Sequence, residues 1–232
     1  MRDASAWTRF FLVRHGRVAV EYRDRIYGSL DVPLAPEGEE DSRRVARQLA
    51  GEELAAVISS GLARTEHAAA CIRSGRGLAR RDEPDLVELF RGAWQDVTFE
   101  ELERREPGAW EAWHADPGGS SPPGGESLDA LAARVLPRLD ALAGEFRGRS
   151  IAITSHSWVI RIAVCAAFDL EARAALRFAV PLGGLVVLDW SVPEPDQGMG
   201  PGRRPTLVGF HLDRRVDPGR GWRRGPHGGL QD

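Results

Sequence analysis

Lysine is missing from this chain of 232 residues, so all 31 of its Lys-or-Arg positions are arginine. The absence excludes a lysine Schiff base, a Ser-Lys dyad and a phosphate-binding loop ending in Gly-Lys-Ser/Thr. Cysteine is nearly missing too: only Cys71 and Cys165 occur, in the apolar stretches AAACI and IAVCAA. Two thiols in such surroundings do not build a disulfide framework, and a reducing compartment is expected. There is no CxxC pair, no HExxH and no GxSxG elbow, so zinc spacing and the serine-hydrolase motif are both lacking. Long apolar runs are absent as well. None reaches the roughly 18 residues a membrane span needs. The opening MRDASAWTRF has no apolar signal core. A cytoplasmic protein without a membrane partner is expected. Net charge is −3 at pH 7, so no nucleic-acid partner is expected either.

Hydrophobic residues make up 42% of the chain and charged residues 28%, which suits a soluble globular protein. The length fits one domain with room for a small insertion. Residues 9–14 (RFFLVR) read as a buried strand that runs into His15-Gly16. Residues 37–50 have helical period, 54–59 form a second buried strand, and 62–74 a helix ended by Gly75. A short third strand is expected near 78–82. Residues 86–126 hold Trp94, Trp110, Trp113 and then DPGGSSPPGGES; they predict a cap of short helices closed by a rigid loop. Ser127 can N-cap a long helix to about 146. Residues 150–155 form a strand, 158–168 a helix, and 184–190 and 206–212 late strands. The stretches 193–205 and 213–232, rich in Pro, Gly and Arg, read as irregular. The division expected is 1–192 for the main domain and 193–232 for a late strand and tail. Alternating strands and helices predict an α/β fold, a three-layer sandwich with a mostly parallel central sheet flanked by helices plus the small helical cap.

In such sheets ligands bind beyond the carboxyl ends of the strands. Arg14-His15-Gly16 and Ser155-His156-Ser157 both fall there, and Arg64 opens the helix after the second strand. Gly16 would let backbone come close to a ligand. If Arg14, His15, Arg64 and His156 converge, they form a pocket of guanidinium and imidazole groups. Arginine's planar fork matches phosphate oxygens, so a phosphoryl group is the natural ligand.

FLVRHG, SSGLAR, LVELFRGAW, PPGGES and TSHSWVIR, in that order, make the chain resemble the histidine phosphatase superfamily, the phosphoglycerate-mutase-like branch 1, over about residues 9–190. The resemblance implies that His15 is the nucleophile and forms a phosphohistidine. It implies that Arg14, Arg64 and His156 hold the phosphoryl oxygens, and that Glu88 is the proton donor and then the base for water. No metal and no cofactor are implied. The pattern departs from the family at Val18, where a Thr is usual, at Glu21, where an Asn is usual, at Ala68 and at Ser157. An inward Glu21 would favour a substrate of low negative charge or one with a cationic group. Phosphate-binding candidates are thus Arg14, Gly16, Arg17, Glu21, Arg64, His156 and Ser157. Tyr22, Arg23 and Arg91 are open as substrate contacts; Trp94, Trp110, Trp113 and Trp158 suit a pocket wall or cap packing equally. Glu126 is not assigned to catalysis.

The reading this favours is a metal-independent phosphatase acting on a small phosphorylated molecule. A phosphoryl-transferring mutase, a repurposed lyase or dehydratase of specialised metabolism, and a silent phosphate-binding module stay open, as does a homodimer.

Overall fold

Alternate side chains of the strand Trp7–Arg14 (β1) leave in opposite directions. Phe10 and Leu12 enter one hydrophobic cluster, Phe11 and Val13 a second. A strand buried on both faces reads as a continuous apolar run, and this one lies at the centre of the sheet. The computed structural model describes residues 7–191 and 205–211. Its other strands are Arg25–Ile26 (β2), Ala56–Ser59 (β3), Val97–Thr98 (β4), Ser150–Ser155 (β5), Leu185–Ser191 (β6) and Thr206–His211 (β7). The main sheet has the order β3-β5-β1-β6-β7. β3, β5 and β1 are parallel, while β6 and β7 add in antiparallel fashion.

The helices are Pro36–Gln48 (α1), Ala63–Arg73 (α2), Phe99–Arg105 (α3), Ala109–Ala115 (α4), Leu128–Glu145 (α5) and Ser157–Ala167 (α6). Val45 of α1 and Leu49 at its C-cap, and Ala69 and Ile72 of α2, pack with Phe11 and Val13 on one face. Leu131, Val135 and Leu139 of α5 and Ile160 and Val164 of α6 pack with Phe10 and Leu12 on the other. This is the expected α/β sandwich with a parallel core, finished by an antiparallel edge. Pro36 starts α1 at a position where its missing N–H costs nothing. Ser127 caps α5, its Oγ accepting from the Ala130 N–H at 3.2 Å.

The strand expected near 78–82 is not formed. Asp82 makes a single parallel bridge with Ser59, and Pro84, which has no N–H to give, opens a short 3₁₀ turn directly after it. The late strand β7 is hydrogen-bonded to β6 and so belongs to the same sheet. The irregular stretches 193–205 and 213–232 lie outside the described residues, Pro205 apart. Among the described residues, no helix is long and apolar enough to cross a membrane.

The insertion between α2 and α5 holds the short helices α3 and α4 and the strand β4, which pairs with β2. Its indoles stack inward: Trp110 lies 5.6 Å from Trp113, and Trp113 lies 5.6 Å edge-on to Trp158 of α6. Trp94 and Trp113 are buried in the larger cluster, so packing the cap onto the core is the role these two rings play.

Candidate active site

Sheet register brings the chemistry together. Arg14 pairs with Ser155 across β1 and β5, and Ser59 pairs with Thr154 across β3 and β5. The next residues, His15, His156 and Ser60, therefore leave the same sheet edge. The His15 N–H donates to the Ser155 carbonyl at 3.1 Å, and the Ser60 N–H to the Thr154 carbonyl at 3.1 Å. The His15 and His156 rings meet edge-on with centroids 5.3 Å apart.

Both rings are shut away from solvent, at 1% and 0% exposure. His15 Nδ1 lies 2.8 Å from the Gly16 carbonyl, which can only accept, so Nδ1 carries the proton. The Nε2 lone pair is then free for nucleophilic work. Burial, then the charges of Arg64 and Arg14, hold the His15 imidazole well below its usual pKa, against the opposing pull of the Gly16 carbonyl. His156 is held neutral in the same way, by burial first and Arg64 next.

A hydroxyl chain fixes the His156 ring. Thr65 Oγ1 donates to the Leu62 carbonyl at 2.8 Å. Ser60 Oγ lies 2.9 Å from Thr65 Oγ1 and 2.8 Å from His156 Nε2. The other ring nitrogen, His156 Nδ1, is a buried atom with no hydrogen-bond partner among the described residues. Sequence reading gave Ser60 and Thr65 no role. They flank Arg64 in SSGLART, and that proximity was the available signal.

The two guanidinium groups are pinned by backbone oxygen. Arg14 Nη1 donates to the Val180 carbonyl at 2.5 Å. Arg64 Nη2 donates to the Gly28 carbonyl at 2.7 Å, and Nη1 to the Leu30 carbonyl. Burial lowers the Arg64 pKa from its usual value, yet arginine keeps its charge under all ordinary conditions. The Tyr27 ring lies against both His15 and Arg64, at 6.4 and 5.3 Å.

Glu88 reaches the same place from the insertion. Its Oε1 accepts from the Leu89 N–H at 2.9 Å and the Trp158 N–H at 3.2 Å, while Oε2 is 3.5 Å from Trp158 N. The carboxyl thus sits at the first turn of α6, two residues beyond His156. Arg134 of α5 holds its backbone: Nη2 donates to the Glu88 carbonyl at 3.2 Å and Nη1 to the Asp85 carbonyl at 2.7 Å. Glu126 locks Arg134 at 2.7 Å and accepts the Phe90 N–H at 2.9 Å. Burial pushes the Glu126 carboxyl up, but Arg134 and the Phe90 N–H outweigh it and its pKa is lowered. Glu126 thus holds Arg134 and the Phe90 backbone in place.

The remaining candidates lie elsewhere. Arg17 and Glu21 are exposed, so Glu21 does not press a carboxylate into the buried imidazole pair. Arg23 reaches the Val18 carbonyl at 3.2 Å and Glu37 at 3.6 Å. Val18 is buried and bridges Leu34, a place for an apolar side chain. Gly16 has a packing reason: an added Cβ would stand 2.2 Å from the Gly38 carbonyl oxygen of α1. Ser157 is buried at the start of α6, its Oγ without a hydrogen-bond partner among the described residues.

Two histidines held neutral by burial make stability fall in mild acid. Both folded pKa values are depressed, so the unfolded chain takes up protons first as pH drops below about 6.5. Going from pH 7.5 to 5.5 is expected to cost about 2–3 kcal/mol for the pair. Urea unfolding across that range measures it, and His156→Gln should remove about half the loss. An unchanged midpoint over those two pH units would contradict the buried, neutral pair.

A bifunctional protein of Mycobacterium tuberculosis is 30% identical over 184 residues, which are 79% of this chain and 50% of that protein. The chain therefore spans about half the length of that relative. The adenosylcobalamin/alpha-ribazole phosphatase of Escherichia coli is 28% identical over 182 residues, 78% of this chain and 89% of that protein. The solved structure of Bacillus stearothermophilus YhfR superposes with a TM-score of 0.77 at 22% identity, covering 87% of this chain and 95% of that one, and shows the shared fold. The sequence profile of the Histidine phosphatase superfamily (branch 1) matches residues 10–196. That span starts inside β1 and ends beyond β6, taking in each element that carries His15, Arg64, Glu88 and His156: the chain belongs to branch 1 of the histidine phosphatase superfamily.

Proposed function

We propose that this protein is a metal-independent phosphatase that hydrolyses a small phosphomonoester through a phosphohistidine on His15. The observation that carries the reading is the buried His15 ring, its Nδ1–H spent on the Gly16 carbonyl and two guanidinium groups nearby. In the first half-reaction the Nε2 lone pair forms the N–P bond as the P–O bond to the alcohol breaks. The departing electron pair goes to the alcohol oxygen, which takes a proton from Glu88. In the second, Glu88 takes a proton from water as its oxygen attacks phosphorus and the N–P pair returns to His15. Arg14, Arg64 and His156 supply the positive field for the phosphoryl oxygens.

Turnover of p-nitrophenyl phosphate in EDTA tests the reading. Undiminished hydrolysis with inhibition by vanadate is the expected result. Hydrolysis that appears only on adding a divalent metal overturns it.

A further inference from the structure

The two buried imidazoles differ in what holds them. His15 Nδ1 meets a carbonyl, which fixes a proton on that nitrogen. His156 Nε2 meets a hydroxyl, Ser60 Oγ, and a hydroxyl can give a proton or accept one. The surroundings are closed to solvent: Ser60 is 2% exposed, and Ser59, Thr65 and His156 are fully buried. The unpartnered Nδ1 belongs to the ring that meets the nucleophile edge-on.

The protons of the hydroxyl cluster can be followed one by one. The Gly61 N–H donates to Ser59 Oγ at 3.0 Å. Ser59 Oγ lies 3.1 Å from Thr65 Oγ1, whose own proton goes to the Leu62 carbonyl. The Ser59 hydroxyl can therefore supply the Thr65 oxygen, and Thr65 does not depend on Ser60 for a donor. That leaves the Ser60 proton for His156.

The chemistry of the ligand decides where the ring needs its own proton. Burial, then the charges of Arg64 of α2, of His15 and Arg14 at the end of β1, and of Arg134 of α5 all disfavour an imidazolium at His156. A neutral ring carries one N–H and one lone pair. A lone pair on Nδ1 would face a phosphoryl dianion with nothing to donate. An N–H there finds in the phosphoryl oxygen the acceptor it lacks, and a buried donor without one is costly.

We propose that Ser60 is a positioning residue: its hydroxyl donates to His156 Nε2 and so places the ring's single N–H on Nδ1, as an uncharged donor to a phosphoryl oxygen. The ligand half of this inference rests on the phosphatase reading above; the tautomer half does not.

Nitrogen-15 NMR of histidine-labelled protein tests both halves without any turnover, with His156→Gln identifying the His156 signals. Wild type at pH 7.5 is expected to show a protonated Nδ1 and a bare Nε2. A bare Nδ1, or an imidazolium, overturns the proposal. Saturating vanadate should shift the Nδ1–H resonance, and bound vanadate that leaves it unmoved overturns the donor role. Ser60→Ala is expected to move His156 toward the Nε2–H form and to lower kcat/KM for p-nitrophenyl phosphate by about 10²-fold, the scale of losing one preorganised donor. That loss should grow from pH 5.5 to pH 8, because without Ser60 the ring offers an Nδ1–H chiefly as imidazolium. A packing defect would cost the same at every pH, so a constant loss overturns the proposal, as does a variant within about threefold of wild type. Should the variant fail to fold, the wild-type spectra decide. A protonated Nδ1 that responds to vanadate in a protein hydrolysing no phosphomonoester would sink the phosphatase reading and leave Ser60 its role in anion binding.

Discussion

His15→Ala is expected to lower kcat for p-nitrophenyl phosphate by about 10⁴-fold or more, the scale of loss when a nucleophile is removed from a concerted set. The size follows from what the ring does. Its Nε2 lone pair stands at the sheet edge where Arg14, Arg64 and His156 gather, with its orientation fixed by the 2.8 Å contact to Gly16. The alanine protein keeps the cationic pocket, so it should still bind vanadate while turning over little. It should also melt no lower than wild type at pH 5.5, since a group that resists its charged form has been removed. Acid and alkaline quenches of the wild-type reaction with a ³²P-labelled ester separate the chemistry further. An N–P bond on imidazole survives alkali and is lost in acid. Label with the opposite behaviour, or a His15→Ala enzyme within tenfold of wild type, would place the nucleophile elsewhere.

Much of this arrangement was legible in the sequence because the sheet imposes it. RFFLVR and SIAITS are apolar on both faces, which places them in the interior. Residues just past their ends then have to share an edge. His15 and His156 come together for that reason, and Arg64 follows because α2 begins just beyond β3. Ser127 and Gly75 act through local chemistry that one residue can state: Ser127 caps α5, and Gly75 follows the end of α2 with a positive φ.

Contacts between distant segments were not legible. Gly16 looks like a ligand-approach glycine, yet its missing Cβ makes room for the backbone of Gly38. Nothing near Gly16 in sequence announces that helix. Glu21 occupies a position where the family has an amide, but a 3₁₀ turn leaves it exposed. The polar run at 78–82 looks long enough to pair, yet it makes one bridge before Pro84 ends it. The indoles of Trp110, Trp113 and Trp158 close around Arg91 from α4 and α6, and only that packing shows that an arginine in LFRGAW is buried.

Glu88→Gln is expected to separate the two half-reactions. The glutamine side chain can still accept the Leu89 and Trp158 N–H groups through its carbonyl oxygen, so the insertion should stay in place. What the variant loses is the proton. In Glu88, Oε1 takes both of the shorter backbone contacts, at 2.9 and 3.2 Å. Oε2, at 3.5 Å from Trp158 N, is the oxygen left to carry the proton. An alkyl phosphate needs that proton as its alkoxide leaves, so its kcat should fall by about 10²–10⁴-fold. p-Nitrophenolate leaves without one, so phosphorylation of His15 by the aryl ester should be far less affected. Attack by water still needs the base, however, and the aryl ester should therefore give a rapid burst of p-nitrophenolate, close to one per active site, followed by slow turnover. Stopped-flow absorbance reads both phases. Equal losses for alkyl and aryl esters with no burst would mean that Glu88 does not handle the proton, and that its place at the start of α6 is only that of a cap.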